Sequence, residues 1–329
     1  MTIDRLAVIG GGAWGTALAQ VAAGAGRPTL LWVLEPEVAE SVNSAHENRL
    51  YLSGVPLSPV IQCTNDLADL ESCDAWLVVT PAQHMRTVLE KAPHRGRPLV
   101  LCSKGIEERS GQMLHHVAAE VCPEAPIAVI SGPTFAHEVA AGLPTAVTLA
   151  CEDHELAEAL RERISLPTFR IYLSDDVTGA EIGGAVKNVL AIACGVVEGR
   201  HLGLNARAAL IARGFAEMTR FGLALGAKAE TLTGMSGLGD LVLTCTSTNS
   251  RNFSLGKGIA EGRSVSELMS DRRTVAEGAF TAPVLRRLAT GHGIDMPIVN
   301  AVDDMLAGRS SVEEVLERLL TRPLRAEGR

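Results

Sequence analysis

The sequence predicts an α/β protein, a doubly wound and mostly parallel sheet followed by an all-helical second domain. Three observations carry this. Short apolar runs alternate with helix-forming stretches through the first half, the alternation gives way near residue 178 to long helical runs, and a glycine-rich turn follows the first apolar run directly. Strand–helix alternation implies parallel pairing, because each helix carries the chain back to start the next strand in the same direction. Aromatic residues are only 3% of the 329 positions, so the core must be built from Ala, Val, Leu and Ile, which suit buried parallel strands.

In chain order, Leu6–Ile9 reads as a strand, residues 16–26 as a small-residue helix and 29–33 as a second strand. Further strands are expected at 75–79, 98–102, 127–130 and 145–150, with helices at 83–91, 111–121 and 155–164. Beyond these, Val177–Gly199 and 205–226 are long helical runs separated by a turn at 200–204, and 313–320 places leucines at helical spacing. The division is set at residues 1–178 and 179–329, within a boundary zone of 174–182.

The net charge of −8 argues against a general nucleic-acid or anionic-membrane surface, while leaving room for a local cation cluster around a small anion. The seven cysteines form no CxxC pair and no metal-ligand spacing, and several lie in apolar runs, so buried reduced thiols and no metal are expected. The first strand begins within a few residues of the start with no signal-peptide pattern, and no run reads as a membrane span. A cytoplasmic protein without stable membrane insertion is the expectation.

Gly10-Gly11-Gly12-Ala13-Trp14-Gly15 matches GxGxxG. That pattern alone is weak, but here it ends a strand, opens a helix and precedes a second strand, the context of a Rossmann-type dinucleotide site. Gly10 permits the tight turn, Gly12 lets a pyrophosphate approach the backbone, and Gly15 allows close helix–strand packing. The pyrophosphate then sits at the positive helix N-terminus near Ala13. An acidic residue is expected about 20 positions further on. Glu35 stands there, where its carboxylate either accepts from ribose hydroxyls or is simply solvated.

An alcohol dehydrogenase needs a group to take and return the hydroxyl proton. Tyr51 and Tyr172 sit in ordinary settings, His115 and His116 share a polar helical face, and His137 either approaches the site or caps or packs. Lys187 stands out in Gly183-Gly184-Ala185-Val186-Lys187-Asn188, a lone cation on an apolar helix. It either snorkels to the surface or serves as a base tuned by desolvation and a neighbouring cation. Lys104 with Ser103 and Gly105, and Ser131-Gly132-Pro133-Thr134, stand at strand ends that should line the ligand crevice. Gly237-Leu238-Gly239-Asp240 and Ser250-Arg251-Asn252 add a loop suited to phosphate, through the Arg fork and Ser and Asn hydrogen bonds.

At these residues the chain resembles the bacterial NAD(P)-dependent sn-glycerol-3-phosphate dehydrogenases. The matching segments are GGGAWGTALA (10–19), SKGIE (103–107), ISGPTFAHEVAAGLPTA (130–146), GGAVKNVLAI (183–192), NARAALI.RG (205–214), GLGDLVLTCT (237–246) and SRN (250–252), in order across nearly the whole chain. The resemblance implies a dinucleotide-binding first domain and a substrate-binding, catalytic second domain, with the site between them. It implies interconversion of glycerol 3-phosphate and dihydroxyacetone phosphate for phospholipid synthesis, with Lys187 as proton acceptor and donor at C2. It also implies that Lys104 contacts substrate and cofactor and helps hold Lys187 partly neutral. Gly132, Thr134, Asp240, Ser250, Arg251 and Asn252 then line the substrate, the last two nearest its phosphate. Trp14, Ala136, Arg251, Val275 and Glu277 touch the cofactor, and the family is often dimeric. A related 3-hydroxyacid or 6-phosphogluconate-type dehydrogenase, and a dinucleotide-binding regulator without turnover, are the alternatives. The chain departs from the family where Leu34 replaces a common Arg or His beside Glu35, and where GGG replaces GAG. The cofactor is NAD or NADP, with Leu34 and Glu35 favouring NAD because no cation meets the 2′-phosphate.

Overall fold

A computed structural model describes residues 2–270 and 276–323. The chain forms two compact units, one of Met1–Lys104 with Gln112–Ala180 and one of Gly105–Gly111 with Glu181–Arg329. The short segment Gly105–Gly111 thus packs with the helical unit, whereas a single cut at 178/179 leaves it with the first.

The first unit is built on an eight-stranded sheet. Its strands are β1 (Leu6–Ile9), β2 (Thr29–Trp32), β3 (Ile61–Thr64), β4 (Ala75–Val78), β5 (Leu99–Leu101), β6 (Ile127–Ser131), β7 (Thr145–Cys151) and β8 (Phe169–Ser174). The spatial order is β3-β2-β1-β4-β5-β6-β7-β8, with every neighbouring pair parallel except β6 and β7. All four residues of β1, β2 and β4 are buried, because helices cover both faces of the sheet. Leu6, Val8 and Leu31 pack on one side, and Ala7, Ile9, Leu30 and Trp76 on the other. Strands β3 and β8 escape the sequence reading for a physical reason. Both are edge strands, so β3 turns Gln62 outward and β8 turns Arg170 and Tyr172 outward, breaking the apolar run that marks the central strands.

The order reverses at β1, whose neighbours β2 and β4 lie on opposite sides, so the crevice for a ligand opens at the C-terminal ends of these strands. The helix Ala13–Ala22 starts there.

From Glu181 onward, the regular elements of the second unit are all helices among the described residues. Its principal element is Val177–Gly199, which begins in the first unit and runs on through the second. This helix is long and apolar enough to cross a bilayer, contrary to the sequence reading, yet 94% of its apolar window is buried inside the protein. It reads as a core helix. Gly195 and Gly256 let it cross the helix Arg251–Ala260 at backbone contact. A Cβ at either would lie 2.0 Å from Phe253 O or 1.9 Å from Ile192 O, respectively. All seven cysteines, each among the described residues, are buried and free.

Glu217, on the helix Gly203–Ala224, is 2% exposed and caps the helix Pro297–Leu306 by accepting from Ile298 N (2.8 Å) and Val299 N (3.3 Å). Burial pushes its carboxyl up to about 7, although both N–H donors pull the other way. The folded state therefore holds a proton that the unfolded chain releases above about pH 4.5, and the associated stability is lost as pH rises toward 7. Urea unfolding across this window should show a fall of up to ~3 kcal/mol due to this group. In Glu217→Gln the fall should be smaller by that amount; an unchanged pH dependence would contradict the assignment.

Candidate active site

The glycine turn has the shape a dinucleotide requires. Gly10 sits at φ +122°, a backbone angle only glycine adopts freely. A Cβ on Gly15 would lie 1.8 Å from Gly10 O, so the first helical turn rests directly against the end of β1. Gly12 is exposed, and a Cβ there would meet nothing within 4 Å, which leaves its surroundings open to a ligand. No side chain caps the helix Ala13–Ala22 and no acidic residue lies in its first turn. Its leading N–H groups and positive dipole end thus suit an anion. The residues present fit a bound pyrophosphate.

Asn48, which sequence reasoning passed over, holds this turn. It is fully buried, and its Nδ2 donates to Gly11 O (2.8 Å) and Thr16 Oγ1 (2.7 Å). An Asn between two weak helical signals looks like a turn residue, and only the fold brings it beneath the glycines. Tyr51 likewise has a role the sequence hid, since its hydroxyl donates to Glu35 Oε1 at 2.8 Å. Glu35 stands half-buried just beyond β2, while Leu34 is 73% exposed. The Trp14 indole N–H donates to Cys102 O (3.3 Å) and ties the first helix to the end of β5.

Lys104 and the β6 end do meet. Lys104 Nζ donates to Gly132 O at 3.1 Å and Thr134 Oγ1 to the same oxygen at 3.4 Å. Gly132 has φ +157°, and a Cβ there would come within 3.0 Å of Val147 Cα. Ala136 opens the helix Ala136–Ala140 just beyond. His137 is exposed, with its ring 3.8 Å from Glu138 Oε1. His115 and His116 lie side by side, and burial pushes the His116 imidazole down, with His115 adding to the effect.

In the second unit Lys187 is 6% exposed, so it does not snorkel. Its Nζ donates to Asp240 Oδ1 at 2.5 Å and to Thr244 Oγ1 at 2.9 Å. Asp240 is 0% exposed. The neighbour found within this unit is therefore an anion, where sequence reasoning looked to a cation. Asp240 and Thr244 share the helix Asp240–Cys245 at four-residue spacing, which puts both on the face toward Lys187. Thr244 was not singled out, because a Thr in an apolar run carries no signal.

The loop before Arg251–Ala260 splits by role. Ser250 caps this helix, accepting from Phe253 N (3.2 Å). Asn252 is buried, donating to Asn188 Oδ1 (3.0 Å) and accepting from Gly278 N (2.9 Å). It thereby links the residue beside Lys187 to the start of the helix Glu277–Gly291, where Glu277 stands. Arg251 is exposed at the head of its helix. Val275 lies outside the described residues.

Comparison with known proteins decides the family. The model of the NAD-dependent glycerol-3-phosphate dehydrogenase N-terminus matches residues 5–157, and that of the C-terminus matches 176–317. The chain belongs to the NAD-dependent glycerol-3-phosphate dehydrogenase family. It is 63% identical to a glycerol-3-phosphate dehydrogenase [NAD(P)+] of Erythrobacter litoralis, covering 98% of each chain. It is 61% identical to one from Novosphingobium aromaticivorans, covering 99% of each. Among solved structures, glycerol-3-phosphate dehydrogenase from Coxiella burnetii is similar, with TM-score 0.92 and 38% identity over 97% of this chain and 99% of that one. Membership makes the protein an oxidoreductase that uses NAD or NADP, with the Rossmann-type sheet and helical second unit expected from the sequence.

Replacing Asn48 by Ala removes the shorter of two donors to the buried Gly11 carbonyl, leaving only Thr16 Oγ1 at 3.3 Å, and also the bond to Thr16 Oγ1, a loss of ~1–3 kcal/mol. Thermal unfolding of Asn48→Ala should show that destabilisation, and a fluorescence titration should show NADH binding weakened about tenfold. Native-like affinity in a folded variant would remove Asn48 from the turn's support.

Proposed function

We propose that the protein is a glycerol-3-phosphate dehydrogenase that interconverts dihydroxyacetone phosphate and sn-glycerol 3-phosphate, with Lys187 as the general acid and base. The observation that carries this is the buried Lys187 ammonium held by Asp240 and Thr244. A cation shut away from water on an apolar helix is costly unless it has a task or a partner, and here its partner fixes it in one place. The relatives' names supply the substrate.

A bound nicotinamide would supply the hydride acceptor for C2 of the alcohol and the hydride donor for the ketone. The chain's own residues handle the proton. In reduction, Lys187 Nζ donates a proton to the C2 oxygen as negative charge develops there; in oxidation it takes the hydroxyl proton back. Asp240 and Thr244 keep Nζ oriented through both directions. Lys104, held by Gly132 O, supplies a second cation toward substrate and cofactor, with Gly132 and Thr134 beside it. The substrate phosphate is met by the Arg251 fork and the N-terminal N–H groups of its helix. Ser250 and Asn252 shape that end through their cap and their bonds to Asn188 and Gly278. Gly10, Gly12, Trp14 and Gly15 would hold the pyrophosphate, while Ala136, Arg251 and Glu277 would complete the cofactor's surroundings. Glu35, steadied by Tyr51, accepts from the ribose hydroxyls and repels a 2′-phosphate, and Leu34 offers no cation to bind one. NAD(H) is the preferred form. In the cell the enzyme is a cytoplasmic homodimer supplying glycerol 3-phosphate to phospholipid synthesis.

Dihydroxyacetone phosphate reduction followed at the NADH absorbance should show turnover, and Lys187→Ala should lower kcat by about a hundredfold or more. Absence of turnover with either nicotinamide, or an unimpaired variant, refutes the reading. Steady-state kinetics with both cofactors should give the higher kcat/KM for NADH, and Leu34→Arg should raise kcat/KM for NADPH about tenfold by adding a charge-assisted bond. Higher efficiency with NADPH in the unaltered enzyme would reverse the cofactor assignment.

A further inference from the structure

We propose that Gly183 is a positioning residue for proton transfer, because its bare backbone lets the turn ahead of Asp240 close onto the helix that carries Lys187. The inference rests on the reading of Lys187 as the general acid and base. Gly183 and Lys187 lie four residues apart on the helix Val177–Gly199, so they share one face a single turn apart. Ser236 and Asp240 are likewise four residues apart, Ser236 in the π turn Met235–Gly239 and Asp240 opening the helix Asp240–Cys245. Two contacts therefore run side by side, Gly183 against Ser236 and Lys187 against Asp240.

Glycine is unfavourable in a helix interior unless a close approach requires it. Here one does. A Cβ on Gly183 would lie 2.2 Å from Ser236 O, 2.8 Å from Ser236 C and 2.9 Å from Gly237 Cα. The atoms in the way are backbone, so no rotamer change relieves them. The turn is also fixed to the helix Ala229–Thr233, since a Cβ on Gly237 would lie 1.9 Å from Leu232 O. Ser236 is 0% exposed, and its Oγ donates to Thr231 O (3.4 Å) on that same helix. Gly239 N reaches back to Gly234 O (3.0 Å), the wide hydrogen bond that defines a π turn. Gly183 thus holds the turn from one helix while Thr231 and Leu232 hold it from another.

Asp240 follows this turn directly, and its carboxylate holds Lys187 Nζ at 2.5 Å. Thr244 Oγ1 accepts from the same Nζ at 2.9 Å and donates to Asp240 Oδ1 at 3.4 Å, so the three groups move as one. A methyl group at position 183 requires Ser236 O to retreat by about 1 Å before the contact is an ordinary one. Because the turn is tied to Thr231 and Leu232, the shift passes along it to Asp240, and the spacing from Lys187 to Asp240 widens. Misplacing a reacting group by ~1 Å costs up to about a hundredfold in rate. Gly183 acts through Ser236 and Asp240 rather than on the reacting atoms.

Steady-state reduction of dihydroxyacetone phosphate in H2O and in D2O tests the role, because the proton on Nζ exchanges with solvent whereas the hydride does not. In Gly183→Ala, kcat should fall about tenfold or more and its solvent isotope effect should rise, with NADH affinity retained in a fluorescence titration. Gly199→Ala is the packing control. Gly199 ends the same helix ~18 Å beyond Lys187, and a Cβ there would lie 2.7 Å from Lys257 O. Its thermal stability should fall while kcat and the isotope effect stay native. Native kcat and isotope effect in Gly183→Ala, or an equal loss of kcat in Gly199→Ala, would overturn the proposal. If Gly183→Ala does not fold, Ser236→Ala carries the test, since it removes the bond to Thr231 without adding bulk. A lower kcat with a raised isotope effect then supports the positioning role, and native values overturn it. Lys187→Ala run in parallel keeps the two readings apart. An unimpaired Lys187→Ala refutes the acid–base assignment, whereas an impaired one beside a native Gly183→Ala refutes the positioning role alone.

Discussion

The buried ion pair between Lys187 and Asp240 constrains the second unit more than any other contact. Taking two charges out of water costs several kcal/mol each, and breaking such a pair by removing one partner is more damaging than never having had it. The pair is tolerable only if both groups are held at hydrogen-bonding distance, and here they stand 2.5 Å apart. That requirement explains why the helix Asp240–Cys245 must lie against Val177–Gly199. It also explains why the surrounding helices are rich in small residues that permit such approach. Gly183 is one example, since a Cβ there would sit 2.2 Å from Ser236 O, in the turn leading to Asp240.

The first unit depends on a different constraint, the approach of backbone to backbone at the glycine turn. Gly15 against Gly10 O leaves no room for a side chain, and the buried Asn48 amide bridges the turn to the helix that follows. Once the turn is rigid, the uncapped helix N-terminus faces the open crevice at the ends of the parallel strands. Charge then refines what the geometry admits. Glu35, held by Tyr51, stands just beyond β2, and the neighbouring Leu34 is neutral.

Much of this was legible in the amino-acid order, for identifiable reasons. The central strands announced themselves because both faces are covered, and the covering requires uninterrupted apolar residues. The glycine turn was legible because three positions must be glycine at fixed spacing. Lys187 was legible because a lone cation on an apolar helix is conspicuous. The edge strands β3 and β8 were not, since one exposed face removes the apolar run. Nor were Asn48, Tyr51 and Thr244, whose residue types are common in turns and helices and whose partners lie far away in sequence. Cys194 and Cys245, distant in the chain, are likewise brought close enough to influence each other only by folding.

The sequence by itself determined the class of fold, the nucleotide turn, the residue types able to move a proton and the family. These depend on local spacing and periodicity, which chain order preserves. Tertiary structure alone decided which charge each cation faces. Lys187 meets a carboxylate at 2.5 Å, whereas Arg163 meets only carbonyl oxygens. Coulomb interaction depends on distance in space, and the distance between residues 187 and 240, or between 163 and 22, is set by packing rather than by position along the chain.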